Sequence, residues 1–268
     1  MNRIYLLLIV SIILQGSFLS SSRPSIAENP KLYFFNPDSA QSNLGRLKLE
    51  IETFFDRSGY PVSFQAFSYQ TDFDAKINEQ QPKFLFAPEW YIKRHGRQLK
   101  IKPFLVPIYK GQTTYRMVLL VAKNSRITLD SQEKLSLAMT PAGPDSVTFL
   151  NQVLFPQHQG KAFPFHPVIV PKPADALFAL FLGHVDSALV AEEHLEIFKK
   201  MLPRIVGGVR PLVLSEPIPM PMLCYSKELV AQTEVEKFKA VLLGEKGNRI
   251  RKNLLELLQI DEWQETTE

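Results

Sequence analysis

From residue 31 onward the chain alternates short apolar runs with stretches of helical spacing, and it does so twice. "KLYFFN" (31–36) has the composition of a strand, and Pro37, Asp38 and Ser39 turn the chain after it. Residues 41–57 carry Leu44, Leu47, Leu49, Ile51, Phe54 and Phe55 mostly at helical spacing, and Gly59 stops the run. "YPVSFQAF" alternates as a strand does, "TDFDAKINEQ" reads as a short polar helix, and "KFLFAP" is an apolar strand. Strand, helix, strand, helix, strand is the pattern of a parallel sheet covered by helices.

"PFLVPI" and "TTYRMVLLVAK" follow, separated by a turn around Gly111. The second run is long enough to leave one sheet and enter another. A new alternation then begins: strand "KLSLAMT", helix 146–155, strand "HPVIVP", helix "PADALFALFLG", strand "HVDSALVA", helix "EEHLEIFKKML". The Pro-rich run "VRPLVLSEPIPMPMLCYS" is extended and could carry the chain back, and two helices, about 227–242 and 247–259, finish it. No short-period repeat is present. Two repeated units with two extended crossings predict an α/β chain of two lobes with a cleft between them. The first lobe would comprise about 28–117 and 224–268, and the second 118–223. A ligand would lie where strand C-termini and helix N-termini of both lobes converge.

The N-terminus sets the compartment. Residues 4–14 are apolar behind a short basic start, and Ser25, Ile26 and Ala27 put small residues where a signal peptidase reads. Residues 1–27 are therefore expected to be a cleaved secretory signal peptide, which makes the protein periplasmic or extracellular. Removing Arg3 and Arg23 and no acids takes the formal net charge from +4 to +2. No basic cluster interleaved with aromatics is present, so nucleic acid is not an expected partner. "GEKGNRIRKNLLELL" reads as a helix with a solvated basic face. Cys224 is the only cysteine, so no intrachain disulfide can form, and it reads as inert packing.

Three stretches resemble a known family. "KFLFAPEWYI" is similar to an apolar strand, Pro and aromatic-containing helix start; "TPAGPDSVTFLNQVLFP" to a strand, turn and serine-rich helix start. "KPADALFALFLGHVDSALVAEE" is similar to an amphipathic helix, Gly and an Asp-containing strand ending at the cleft. Together they resemble the type-2 periplasmic solute-binding proteins of ABC transporters, in particular the phosphate, phosphite and phosphonate binders. The resemblance implies the two-lobed type 2 fold. It also implies a periplasmic protein, expected as a monomer without cofactor, that delivers a small-molecule ligand to an inner-membrane permease. Two departures bear on the ligand. Gly143-Pro144-Asp145-Ser146-Val147-Thr148 stands where the family has a compact Ser/Thr-Ser-Gly oxyanion grip, and Pro173 and Ala174 precede Asp175 where the family commonly has His-Asp.

The candidate ligand-binding residues are Ser39, Glu89, Trp90, Tyr91, Tyr109, Tyr115, Asp145, Ser146, Thr148 and Glu192. Each has an ordinary alternative. Asp145 could cap its helix, Asp38 and Ser39 could cap the first helix, and Glu89 and Glu192 could be first-turn acids. Trp90 and Tyr91 could be core rings. In either role Asp145 competes for the N–H groups a phosphate would use and repels it. With Phe149, Phe155, Phe163 and Phe165 nearby, the cleft is acidic and aromatic. That composition points to a neutral, partly apolar or cationic ligand rather than a simple phosphonate. A periplasmic carrier of lipid or hydrophobic molecules and a ligand-sensing module of a membrane receptor are the alternatives. No G-x-S-x-G, H-E-x-x-H or G-x-x-x-x-G-K-[ST] motif occurs, and the five His show no metal-ligand spacing. Neither an enzyme nor a metal site is expected.

Overall fold

The computed structural model describes residues 28–39, 43–142, 146–150, 154–156, 164–244 and 249–266. The expected signal peptide, Asp145 and Phe163 lie outside that set. In the first half the chain forms β1 (Lys31–Phe35), α1 (Leu44–Arg57), β2 (Ser63–Phe67), α2 (Gln70–Glu79), β3 (Phe84–Ala87) and α3 (Glu89–His95). β4 (Ile101–Ile108), β5 (Thr114–Tyr115) and β6 (Met117–Ala122) lead into the second half. There the chain forms β7 (Leu135–Met139), α4 (Ser146–Phe149), β8 (Phe165–Ile169), α5 (Pro173–Phe181), β9 (Ser187–Ala191), α6 (Glu192–Met201) and α7 (Pro203–Val206). β10 (Val209–Leu214), β11 (Ile218–Pro219) and β12 (Met222–Ser226) bring it back to α8 (Gln232–Leu243), α9 (Arg249–Leu258) and β13 (Glu262–Glu265).

Two sheets result, ordered β13-β4-β12-β3-β1-β2 and β10-β6-β9-β7-β8. Both are mixed, which differs from the parallel sheet expected of the first half. β1 runs parallel to β2 and β3, joined by helical crossovers, but β12 is antiparallel to β3 and β4. β12 arrives from the other sheet, so no crossover fixes its direction. β13, which the periodicity did not suggest, closes the edge beside β4. The two crossings pair with each other: β5 and β11 form a two-stranded ribbon with Tyr115 opposite Ile218 and Thr114 opposite Pro219.

Each sheet buries both faces. One face of the first packs Phe34, Phe84 and Phe86 against α1, α8 and α9; the other packs Tyr33, Phe35 and Leu85 against α2 and α3. Phe238 of α8 is the centre of the first layer, stacked on Phe84 with ring centroids 3.9 Å apart and 4.9 Å from Phe55. In the second sheet α5 and α6 cover one face, and Leu150, Leu154 and Phe155 cover the other. Phe155 and Phe165 are core residues there, not cleft residues. Cys224 is buried in β12, where burial pushes its thiol up.

Two local expectations change. Asn43 caps α1, its side chain accepting from the Arg46 N–H at 2.9 Å, so Asp38 and Ser39 are released from that role. On α9, Arg251 is buried rather than on a solvated face; its Nε donates to the Leu242 carbonyl at 2.7 Å and its guanidinium pairs with Glu262. No helix among the described residues is long and apolar enough to cross a membrane.

Candidate functional site

β1 ends in a tight turn that projects a carboxylate out of the first sheet. The Asn36 side chain accepts from the Asp38 N–H at 3.2 Å and the Asn36 carbonyl accepts from Ser39 N–H at 3.1 Å. So fixed, Asp38 reaches two other parts of the molecule. Tyr115 in the ribbon donates to Oδ2 at 2.8 Å, and Thr140, at the end of β7 in the second sheet, donates to Oδ1. One side chain thus joins the first sheet, a crossing and the second sheet. The two sheets meet here.

α6 contributes the next groups. Its first N–H, from Glu192, donates to the Arg116 carbonyl at 2.9 Å, which fixes the helix start beside the crossing. Glu193 and His194 then turn toward Asp38. Burial, and next the Asp38 charge, raise Glu193 to about 7; Lys110 opposes the rise and Glu192 adds to it. Burial lowers His194, with Asp38 opposing, so the imidazole is held toward its neutral form. Burial of the Tyr115 hydroxyl, with the charge and hydrogen bond of Asp38, pushes that phenol well up and keeps it a donor. The result is a carboxylate that accepts from two hydroxyls, beside a second carboxyl that takes up a proton near neutrality.

Two cavities flank Asp38. The smaller, of about 30 Å³, lies between the start of α3 and the end of β7, with Glu89, Trp90, Tyr115, Thr140 and Phe149 in its walls. The larger, of about 120 Å³, opens beside Ser39, Tyr109, Tyr115, Glu193 and His194 and runs back under the first sheet. No Lys or Arg lines either cavity among the described residues. The cation that acts on Glu193 is Lys110, exposed, with its ammonium 5.1 Å from the Tyr109 ring centroid.

The structure therefore brings Ser39, Glu89, Trp90, Tyr109 and Tyr115 to the cleft and sends other candidates elsewhere. Tyr91 is 1% exposed; its hydroxyl donates to Asp74 at 2.8 Å and its ring stacks on His95. It is a core residue. Adjacent helix positions lie about 100° apart, so Trp90 at the cavity wall turns Tyr91 inward. Glu192 is exposed, and its neighbour Glu193 holds the place expected of it. Ser146 begins α4 and lines neither cavity, while Asp145 and the Thr148 side chain lie outside the described residues. Glu89 pairs with Lys93 one turn along α3 at 2.9 Å. Sequence reasoning passed over Thr140, Glu193 and His194 and left Asp38 undecided. The available signal was position, since each follows the C-terminal end of an apolar strand.

A family model described as the ABC transporter, phosphonate, periplasmic substrate-binding protein matches residues 34–268. Among solved structures, a binding-protein component of an ABC phosphonate transporter from Pseudomonas aeruginosa superposes with a TM-score of 0.69 at 16% identity, covering 89% of this chain and 82% of that one. A phosphonate-binding protein from Prochlorococcus marinus, in complex with methylphosphonate, gives 0.69 at 10% identity over 89% and 93%. A Xanthomonas citri protein bound to ATP gives 0.67 at 11% over 89% and 92%. No curated protein sequence matches the chain. The shared fold of these neighbours is the two-lobed periplasmic-binding-protein fold, and the chain belongs to the family of periplasmic substrate-binding proteins of ABC phosphonate transporters.

Proposed function

We propose that this protein captures a small solute that is neutral or cationic where it meets Asp38, and delivers it to an inner-membrane permease. The lobes are the segments 28–117 with 224–268, and 118–223; Ser39, Glu89, Trp90, Tyr109 and Tyr115 contact the solute with Asp38 and Glu193. The observation that carries the ligand class is the acid-lined junction. Asp38, Glu89 and Glu193 stand in the two cavity walls, with no Lys or Arg there among the described residues. A phosphonate dianion would enter against these carboxylates in a partly buried site, where Coulomb repulsion is stronger than in bulk water. A cation or a hydrogen-bonding neutral group would instead be attracted.

Closure requires contacts to both lobes, because a ligand shifts the equilibrium only by its differential affinity. The junction at Asp38 supplies them. Tetramethylammonium and methylphosphonate test the reading by thermal shift at pH 8. The cation should raise the midpoint, by a margin equivalent to about 2.7 kcal/mol at a hundred times its Kd. Methylphosphonate should leave it unmoved, and Asp38→Asn should weaken the cation and admit the phosphonate. Stabilisation of the parent protein by methylphosphonate and not by the cation sinks the ligand class while leaving the family intact. A carrier of larger hydrophobic cargo is a second reading, favoured by the apolar walls of the larger cavity. Its 120 Å³ is the room of a ring rather than of a lipid body, which ranks it second.

A further inference from the structure

The larger cavity does not stop at the cleft. Behind its polar mouth it runs between the first sheet and the helices α1, α8 and α9, walled by Phe34, Phe86, Ile51, Phe238, Leu254 and Trp263. These are residues of the first lobe's main core cluster. Protein cores pack to crystal-like density, and voids in them forfeit contacts on every wall. Mouth and chamber together hold about 120 Å³, against the roughly 150 Å³ of an engineered apolar cavity that binds benzene.

Its walls also hold polar atoms with nothing to bond. Trp263 is 6% exposed and its Nε1 has no hydrogen-bond partner among the described residues; His194 is 4% exposed and its Nδ1 has none either. Buried donors are nearly always paired, and an orphan indole N–H beside an open volume is a donor awaiting an acceptor. The two lie at different depths of one chamber, His194 on α6 at the mouth and Trp263 on β13 within the first lobe.

We propose that this chamber is a ligand subsite. It takes the apolar end of the solute, an aromatic ring or short alkyl chain bearing a hydrogen-bond acceptor, while the polar end stays at Asp38 and Glu193. The acceptor meets the Trp263 N–H, and the ring or chain fills the phenylalanine-lined volume. The solute is thus amphipathic, and selectivity for its apolar end is set inside one lobe rather than between the two. This assignment rests on the cleft being the solute site, as read above.

The sequence holds two tryptophans, Trp90 in the smaller cavity wall and Trp263 in the larger, so Trp90→Phe leaves Trp263 as the sole indole reporter. Benzyl alcohol is the probe. It should shift Trp263 emission to the red as the indole gains a partner, and raise the thermal midpoint. Leu258→Phe, which adds volume to the chamber wall, should weaken benzyl alcohol at least tenfold and raise the ligand-free midpoint. Trp263→Phe keeps a ring and removes the donor; it should weaken benzyl alcohol several-fold and leave toluene unchanged, read by thermal midpoint. Unmoved emission and midpoint with benzyl alcohol, or equal binding by Leu258→Phe, overturns the subsite. Tetramethylammonium with the parent protein and Leu258→Phe, both of which keep Trp90, reads the cleft alone. Loss of its response with benzyl alcohol retained removes the charge reading and keeps the chamber, and the reverse removes the chamber only.

Discussion

A carboxyl shielded from water and facing a second carboxylate keeps its proton, and Glu193 does so to about pH 7. The unfolded chain releases that proton near 4.5, so between about pH 4.5 and 7 the folded state binds more protons than the unfolded one. Stability from this group is therefore present in acid and falls as pH rises through that window, by about 3 kcal/mol at most. His194 works in the opposite sense. Its depressed folded pKa means that its contribution is lost as pH falls below the ordinary imidazole range. Glu193→Gln separates the two. The variant should match the parent near pH 4.5 and exceed it by about 2–3 kcal/mol at pH 8, measured by urea unfolding. Equal differences at both pH values would mean that Glu193 is not held protonated. Asp38, Lys110, Glu192 and Tyr115 are the charged and titratable groups that face this cluster, and the substitution leaves all four in place.

At the level of elements, helix phase decides which side chains function. α3 presents Glu89 and Trp90 to the cleft and hides Tyr91, and α6 exposes Glu192 while turning Glu193 and His194 inward. A sequence places a helix start to within a residue or two, and one residue is a turn of about 100°. The same limit explains Asp38 and Ser39, which were near enough to α1 to be weighed as caps until Asn43 took that position. β13 and α9 show an element held from elsewhere. Trp263 packs on Phe86 edge-on with centroids 6.1 Å apart, and Arg251 ties the Leu242 carbonyl of α8 to Glu262 of β13. Arg251→Met should cost about 2 kcal/mol, the loss of a buried charged hydrogen bond, with the urea midpoint lowered and the slope unchanged. A cost near zero would place α9 and β13 under the control of their apolar contacts alone.

The whole molecule is two mixed sheets joined by the β5–β11 ribbon and bridged by one carboxylate. Thr140→Val keeps the shape at the end of β7 and removes the hydroxyl that Asp38 engages across the cleft. The closed-to-open ratio of the ligand-free protein should fall about tenfold, equivalent to about 1.4 kcal/mol, near the low end for a hydrogen bond to a charged group. Single-molecule distances across the cleft read the two populations. An unchanged ratio would assign closure to other contacts. Asp38 keeps Tyr115 in this variant, so the effect isolates the contact to the second sheet.

Local rules were enough for most of the strands and helices, β13 being an exception. Period-two and helical spacing, with Gly59 and Gly183 as stops, marked β1, α1, β2, α2, β3, α5 and β9 where they occur, because each of these elements buries a face written in its own residues. The alternation of the two halves, with the resemblance it carried, also announced a two-lobed fold of the periplasmic binding-protein kind. Strand direction was decided elsewhere. β12 and β13 join the first sheet through partners more than a hundred residues away in the chain, and no local spacing records that. The Asp38 junction is of the same kind, assembled from a turn, a ribbon, a strand end and a helix start. Proton affinity and enclosed volume depend on what surrounds a group on every side, so Glu193 and the chamber at Trp263 exist only once the chain has packed.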